Sequence, residues 1–409
     1  MKKLLLLTTI VLFANAANAQ TAYVTNWMSH NVSVIDIATN VVTATIPVDN
    51  GPAGVAVSND GTKVYIANWG YNTVNVINTA TNTVSDTITI GDAPTGICIT
   101  PDGSKVYVSS VDGWTVSVIN TATNTVSSTI SVGTAPRGIA VSPDGSKVYV
   151  GNDSPLGKIS IISTTYDTVL ATIPINRHIM GVCVSPDGSK AYFAADSIRV
   201  INTATNTVSA IIPVGAYPIG VSVTPDVTKL YVTNSNSNTV SVINTATNSV
   251  SATINVGHSP YGISVTPDGS RVYVTNGGSH SVSVINTATN TVVDSIAVGT
   301  SPDAFGNFIS TYTQHLGITS LNKPETLTIS PNPFTSQTTI TFSSEQKNTP
   351  IYIRDVLGKV VFQSTINSKQ YTIDMNGYAK GIYFLQITDD SASSSAENKN
   401  VINRKLVLQ

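Results

Sequence analysis

The chain has 409 residues, a formal net charge of −2 and 11% charged residues, less than half the share of about 25% usual in soluble domains. The charge is unevenly divided: residues 22–310 hold ten Lys/Arg and sixteen Asp with no Glu, whereas residues 311–409 hold nine Lys/Arg and seven acids. An acidic, lysine-poor main segment does not suit the phosphates of nucleic acid or an anionic membrane surface, and the only two cysteines, Cys98 and Cys183, give no disulfide framework.

In chain order, residues 1–19 read as a Sec signal peptide. Lys2 and Lys3 form the charged start, Leu4 to Phe13 the apolar core, and Ala17-Asn18-Ala19 the small-residue cleavage site before Gln20. The apolar run is too short to span a bilayer and no later segment qualifies, so no transmembrane segment is expected and export is.

Residues 20–310 are repetitive. Tyr23, Tyr65, Tyr107, Tyr149, Tyr192, Tyr231 and Tyr273 stand at intervals of 42, 42, 42, 43, 39 and 42 residues. Between Pro94 and Gly133 one unit reads as four short strands, with Pro101-Asp102-Gly103 and Asn120 to Asn124 as turns. Four strands in about 42 residues fit a blade of a β-propeller, and no stretch has helical spacing that would suit a helical or leucine-rich solenoid. Six complete units start near Pro52, Pro94, Pro136, Ile179, Pro218 and Pro260. Residues 22–48 hold only the second to fourth strands of a blade, and residues 302–310 supply a leftover first strand. The expected architecture is all-β, a seven-bladed β-propeller whose split blade joins the two ends of the repeat region. Within the first strands, Val55, Ile97, Ile139, Val182, Val221 and Ile263 should pack between blades. The small alternating residues, Ala56, Cys98, Ala140, Cys183, Ser222 and Ser264, should face a central channel. The tyrosine ladder is read as inter-blade packing and the two cysteines as buried, inert thiols.

Tyr23-Val-Thr-Asn26, Tyr231-Val-Thr-Asn234 and Tyr273-Val-Thr-Asn276, set among Pro-Asp-Gly and Ile-Asn-Thr-Ala-Thr-Asn motifs, resemble the YVTN-type propeller family. The resemblance covers about 290 residues and implies the fold; such propellers occur in surface proteins of many kinds and beside unrelated catalytic domains, so it implies no single activity.

Residues 311–325 read as a linker, and residues 326–409 as a second, small antiparallel β-sandwich of immunoglobulin-like type. Its strands are expected at Thr326–Ser330, Thr338–Phe342, Ile351–Arg354, Val360–Gln363, Tyr371–Asp374, Ile382–Thr388 and Lys405–Leu408. Ser330-Pro331-Asn332-Pro333-Phe334, Asp355-Val-Leu-Gly358-Lys359, Ala379-Lys-Gly381-Ile-Tyr383-Phe384 and the terminal run containing Lys405 resemble the C-terminal sorting domain of the type IX secretion system of Bacteroidota. The polar stretch Asp389 to Asn400 is longer than the usual hairpin. The resemblance implies the type IX machinery as partner and a destination at the cell surface or outside the cell.

Function has to be sought where the repeats differ. Loops after the first and third strands share one face, where Asp102/Lys105, Asp144/Lys147, Asp187/Lys190 and Asp268/Arg271 recur. Opposite charges so close in sequence are expected to cancel into a solvated rim, and Asp residues on separate blades do not converge on a metal. The other face carries Trp27, His30, Trp69, Tyr71, Trp114, Arg137, Arg177, His178, Tyr217, His258, Tyr261 and His280, which are the candidate ligand-contact residues for a glycan or a peptide. The absence of Glu from the propeller excludes a paired-Glu glycosidase site within it. No HxH, HExxH or GxSxG pattern occurs, so no metal, cofactor or catalytic set is assigned. The expected protein is a monomeric binding or adhesion module, the alternatives being a lactonase-like hydrolase with its site at the channel mouth or a structural surface-layer component.

Overall fold

The computed structural model describes residues 20–310, 327–342, 346, 349–355, 359–389 and 400–408; the leader 1–19, the linker 311–325 and Gly358 lie outside the described residues. The chain divides into two units, Met1–Gln314 and His315–Gln409.

In the first unit, six antiparallel four-stranded sheets follow one another, each with its strands in chain order. Their first strands are Pro52–Val57, Pro94–Ile99, Pro136–Val141, Val182–Val184, Pro218–Val223 and Pro260–Val265, and the sheets are called blades I to VI here. Thr21–Asn26, Asn31–Asp36 and Val41–Pro47 form a three-stranded sheet before them. Residues 302–310 lie along its open inner edge. Ala22 bridges Ile309 and Asn26 bridges Pro302; Tyr23 N donates to Phe308 O at 2.8 Å, Asp303 N to Thr25 O at 2.9 Å and Ser310 N to Thr21 O at 2.9 Å. Chain start and repeat end thus share a seventh blade, and the closed ring leaves no inner edge unpaired.

Burial explains the residue choice along each blade. The second and third strands are buried on both faces and run as Lys-Val-Tyr-Val and Thr-Val-Ser-Val, whereas the fourth strands are exposed except for one isoleucine and so tolerate Thr and Ser. The first strands converge closely: a Cβ on Gly54 would lie 2.0 Å from Thr95 O, and one on Gly181 2.0 Å from Ile219 O. Only glycine admits that approach, which accounts for the recurring Pro-x-Gly.

The tyrosine ladder is buried, and three of its hydroxyls reach forward around the ring, while those of Tyr65 and Tyr192 are buried without a partner. Tyr107 Oη donates to Asp167 at 2.6 Å, Tyr231 to Asn290 at 3.3 Å and Tyr273 to Asn40 at 2.6 Å, each acceptor being in the turn before the next blade's fourth strand. Burial raises the Tyr23, Tyr65 and Tyr231 hydroxyls to about 12, with Asp60 and Asp226 adding to the effect at the last two. The lysines correct the sequence reading of that face. Lys105 Nζ does not pair with Asp102; it crosses to the next blade, donating to Thr164 O at 2.7 Å and pairing with Asp167 at 2.9 Å. Lys190 reaches Thr245 O at 3.0 Å and Arg271 reaches Ile37 O at 3.1 Å in the same direction. Asp102 is instead held inside its own turn by Thr100 Oγ1 at 2.5 Å and Ser104 N at 3.0 Å. Such hydrogen bonds keep the Asp102, Asp144, Asp187 and Asp226 carboxyls below the usual range. The rim is therefore a set of clamps between blades.

Met180, Ile219 and Phe305 form an apolar cluster with Tyr261 packed against it. On the side away from the loops bearing the candidate residues lies a chamber of about 430 Å³ whose wall includes Ala56, Cys98, Ala140, Cys183, Ser222 and Ser264. The two cysteines thus line the channel, half-buried, and also pack against the blade cores, and burial pushes both thiols up.

Among the described residues the second unit has seven strands in two sheets. Leu327–Ser330, Gln337–Phe342 and Gln370–Asp374 form one; Val360–Ile366, Thr349–Arg354, Gly381–Asp389 and Asn400–Leu408 form the other. Ile340, Phe342 and Ile373 of the first share a buried core with Ile351, Ile353, Leu385 and Leu406 of the second, which is the expected sandwich. The resemblance motifs meet in space. Phe334 is buried, its N donates to Val407 O at 3.0 Å, and Asn332 Oδ1 accepts from Val407 N at 2.9 Å. Pro331 O accepts from Thr338 Oγ1 at 2.6 Å, and Pro333 lies between these contacts in the chain. Lys359 N donates to Asp355 Oδ1 at 3.0 Å, Tyr383 Oη donates to Ala379 O at 2.6 Å, and Gly381 takes a φ of 155°. Lys405 pairs with Phe384 in the terminal strand.

Candidate functional site

In each blade one residue stands just before the close-packed glycine of the innermost segment, or its alanine counterpart: Ala53, Thr95, Arg137, Met180, Ile219, Tyr261 and Asp303. Met180 and Ile219 go to the apolar cluster. Thr95, Arg137, Tyr261 and Asp303 line a pocket of about 600 Å³, together with Trp27, Trp69, Ser235, Ser259 and Ser301.

The two indoles come from equivalent loops of adjacent blades. Trp27 N donates to Ser301 O and Trp69 N to Gly51 O, both at 2.9 Å, so each loop is tied to the segment entering its own blade. The ring centroids lie 5.3 Å apart at 40°, within the range of favourable aromatic pairs. Trp69 is 42% exposed, so the pair presents an aromatic wall.

Across the pocket the side chains are polar. Arg137 Nε pairs with Asp153 Oδ2 at 2.7 Å, and the other oxygen of Asp153 meets His178 Nδ1 at 2.6 Å. Asp303 holds the closing strand through its backbone, while its carboxyl Oδ1 is sealed from solvent without a hydrogen-bond partner. Burial raises this carboxyl to about 8 against the opposing pull of the Arg137 charge, so it holds its proton at neutral pH. Burial and the neighbouring Asp303 also push the Tyr261 hydroxyl up. The pocket thus offers an aromatic wall, a guanidinium balanced by a carboxylate, and a protonated acid with unfilled hydrogen-bonding capacity.

Of the twelve candidate residues, Trp27, Trp69, Arg137 and Tyr261 are brought together, and His178 adjoins them through Asp153. Tyr71, Trp114, Tyr217 and His258 are exposed on their loops outside this pocket. Arg177 pairs with Asp196 at 2.9 Å, which Arg199 also contacts at 2.7 Å. His30 and His280 serve their turns. Both have φ of 53°, and their Nδ1 atoms accept from Gly51 N at 3.3 Å and Ser301 N at 3.1 Å. Asn72 and Asn238 do the same in other blades, their Oδ1 atoms accepting at 2.9 Å. Asp303 escaped the sequence reading because it was assigned only to the closing strand. Aligning the residue before the first-strand glycine across all blades would have found it. Among the described residues no group of three or more His, Cys, Asp or Glu is placed to hold a metal ion, and no helix is long and apolar enough to cross a membrane.

Residues 328–403 match the family described as secretion system C-terminal sorting domain. Residues 11–132, which reach through blade II, match the family described as lactonase, 7-bladed beta-propeller. No curated protein matches the chain. Among solved structures, a chain of Kuenenia stuttgartiensis hydrazine synthase aligns with a TM-score of 0.63 and 22% identity, over 69% of this chain and 99% of that one; at that identity the likeness shows the fold alone. Together these observations establish a seven-bladed β-propeller, similar over its first part to the lactonase family, followed by a type IX sorting domain, which engages the secretion machinery and directs the chain to the cell surface or the extracellular space.

Proposed function

We propose that the propeller is a monomeric binding module whose ligand site is the channel-mouth pocket. On this reading residues 1–19 direct Sec export, and residues 326–409 take the protein onward. The observation that supports it most is the meeting of Trp27, Trp69, Arg137 and Tyr261 with Asp303 around one pocket. Stacking against an indole pair and hydrogen bonding to a few fixed polar groups is how a small site combines affinity with orientation. The test is the full chain on glycan and peptide arrays, beside a Trp27→Ala/Trp69→Ala variant. Binding to a discrete set of ligands, weakened at least tenfold in the variant, is expected; no binding on either array, or binding indifferent to both indoles, would sink the reading.

Export is tested separately by deleting residues 327–409 in the producing cell. The truncated protein should stay in the periplasm, and its arrival at the cell surface would refute the sorting role.

A hydrolase is the second reading. The protonated Asp303 beside Arg137 is an acid that could titrate during turnover, and the lactonase match points the same way. Opening of a simple lactone by the full chain, abolished by Asp303→Ala with the fold intact, would put this reading in place of the first.

A further inference from the structure

We infer that the mouth pocket recognises an uncharged sugar unit, held by its apolar face on Trp27 and Trp69 and by adjacent hydroxyls on Arg137 and Asp303. This deepens the binding reading and rests on it. The first support is charge balance. Arg137 is the one basic side chain in the wall, and Asp153 already balances it at 2.7 Å. A carboxylate or phosphate on the ligand would meet no unspent positive charge, and an ammonium would lie beside the guanidinium.

The second is the unfilled Asp303 Oδ1. A sealed oxygen without a partner carries a cost that the protein does not relieve internally. Asp303 as a whole is half-buried, and a ligand hydroxyl, which both donates and accepts, can meet the part of the protonated carboxyl that the pocket leaves accessible. The Arg137 guanidinium, ion-paired with Asp153, has N–H groups left to donate to a neighbouring hydroxyl. Around these two the lining is completed by Thr95, Ser235, Ser259, Ser301 and Tyr261, all of them hydroxyl-bearing residues. A wall of uncharged hydroxyls opposite a tilted indole pair suits a molecule with one C–H face and several ring hydroxyls. An extended peptide has no comparable flat face to lay on the indole pair.

The experiment uses the full chain, with a glycan array covering neutral-hexose, amino-sugar, sialic-acid and uronic-acid termini printed beside a peptide array. Binding to neutral-hexose termini is expected, confirmed by titration with the matching free oligosaccharide. Asp303→Ala should weaken it at least tenfold, while Asp303→Asn, which keeps a neutral donor and acceptor in the same place, should stay within about threefold of the parent. Circular dichroism and a thermal melt of each variant show whether it folds; if Asp303→Ala does not, Arg137→Met provides the same test. Preference for acidic or cationic termini, or equal loss in Asp303→Asn and Asp303→Ala, overturns the inference. Binding to peptides alone also overturns it while leaving the binding reading intact, whereas silence on both arrays removes the binding reading itself.

Discussion

Replacing Phe308 with alanine should lower the stability of the propeller by about 3–5 kcal/mol, the usual range for a fully buried phenylalanine. Its side chain is completely buried in the cluster that unites the two ends of the repeat region, among Ala22, Tyr23, Val24, Ala304 and Ile309. Its carbonyl accepts from Tyr23 N. The loss therefore falls on the seam that makes a ring out of a row of blades. Denaturation followed by the fluorescence of Trp27, Trp69 and Trp114, all in the propeller, should show the midpoint drop. Amide exchange should rise first in Thr21–Asn26 and residues 302–310. Phe193→Ala, at an equally buried site within blade IV, should cost a similar amount without that local pattern. If the two variants lose protection in the same places, closure is not the weak seam.

Asp303→Asn should stabilise the protein, and only above acidic pH. The carboxyl titrates near 8 in the folded chain and near 3.9 in an unfolded one. Below about pH 4 both states hold the proton, so the acid costs nothing relative to the amide. Between about 4 and 8 the unfolded chain releases its proton while the folded one keeps it, so stability falls steadily with rising pH; above about 8 both are ionised and the penalty levels off. Asparagine does not titrate. Its advantage should be near zero at pH 4 and grow to on the order of 3–5 kcal/mol by pH 8, because each pH unit within that window costs the acid about 1.4 kcal/mol. Urea midpoints measured across that range decide the matter: a constant difference between the proteins would mean that Asp303 does not hold its proton in the fold.

The fold was legible because the chain repeats. Tyr65 or Tyr107 alone says little, but seven tyrosines at one spacing fix blade number and register, and the missing first strand before Ala22 points to its counterpart after Pro302. The site was legible only in part. Trp27 and Trp69 stand out against an Asn/Ser/Gly background, but whether two loop residues meet depends on the ring's curvature, which no single repeat encodes. His30 and His280 look like site residues for their chemistry, yet each performs the turn-capping task that Asn72 performs elsewhere. Asp303 fails in the opposite direction: nothing marks it in its own segment, and its meaning comes from Arg137 and Tyr261, more than a hundred and about forty positions away in sequence. The clamping lysines were misread because proximity in sequence was taken for pairing, when the next blade's turn is the nearer partner in space.

The residue before each first-strand glycine has a consequence for how such a protein can change. The flanking proline and glycine answer to strand packing, and the tyrosines and lysines to the joints between blades; of the seven side chains beside the glycines, Ala53, Met180 and Ile219 are buried, while Thr95, Arg137, Tyr261 and Asp303 line the pocket. A lineage could substitute Thr95, Arg137, Tyr261 and Asp303 one at a time and so change what the pocket accepts, with the largest effect on stability at Asp303. The scaffold would stay recognisable while the lining of the pocket drifted, so relatives sharing every blade motif are expected to differ most at these four positions.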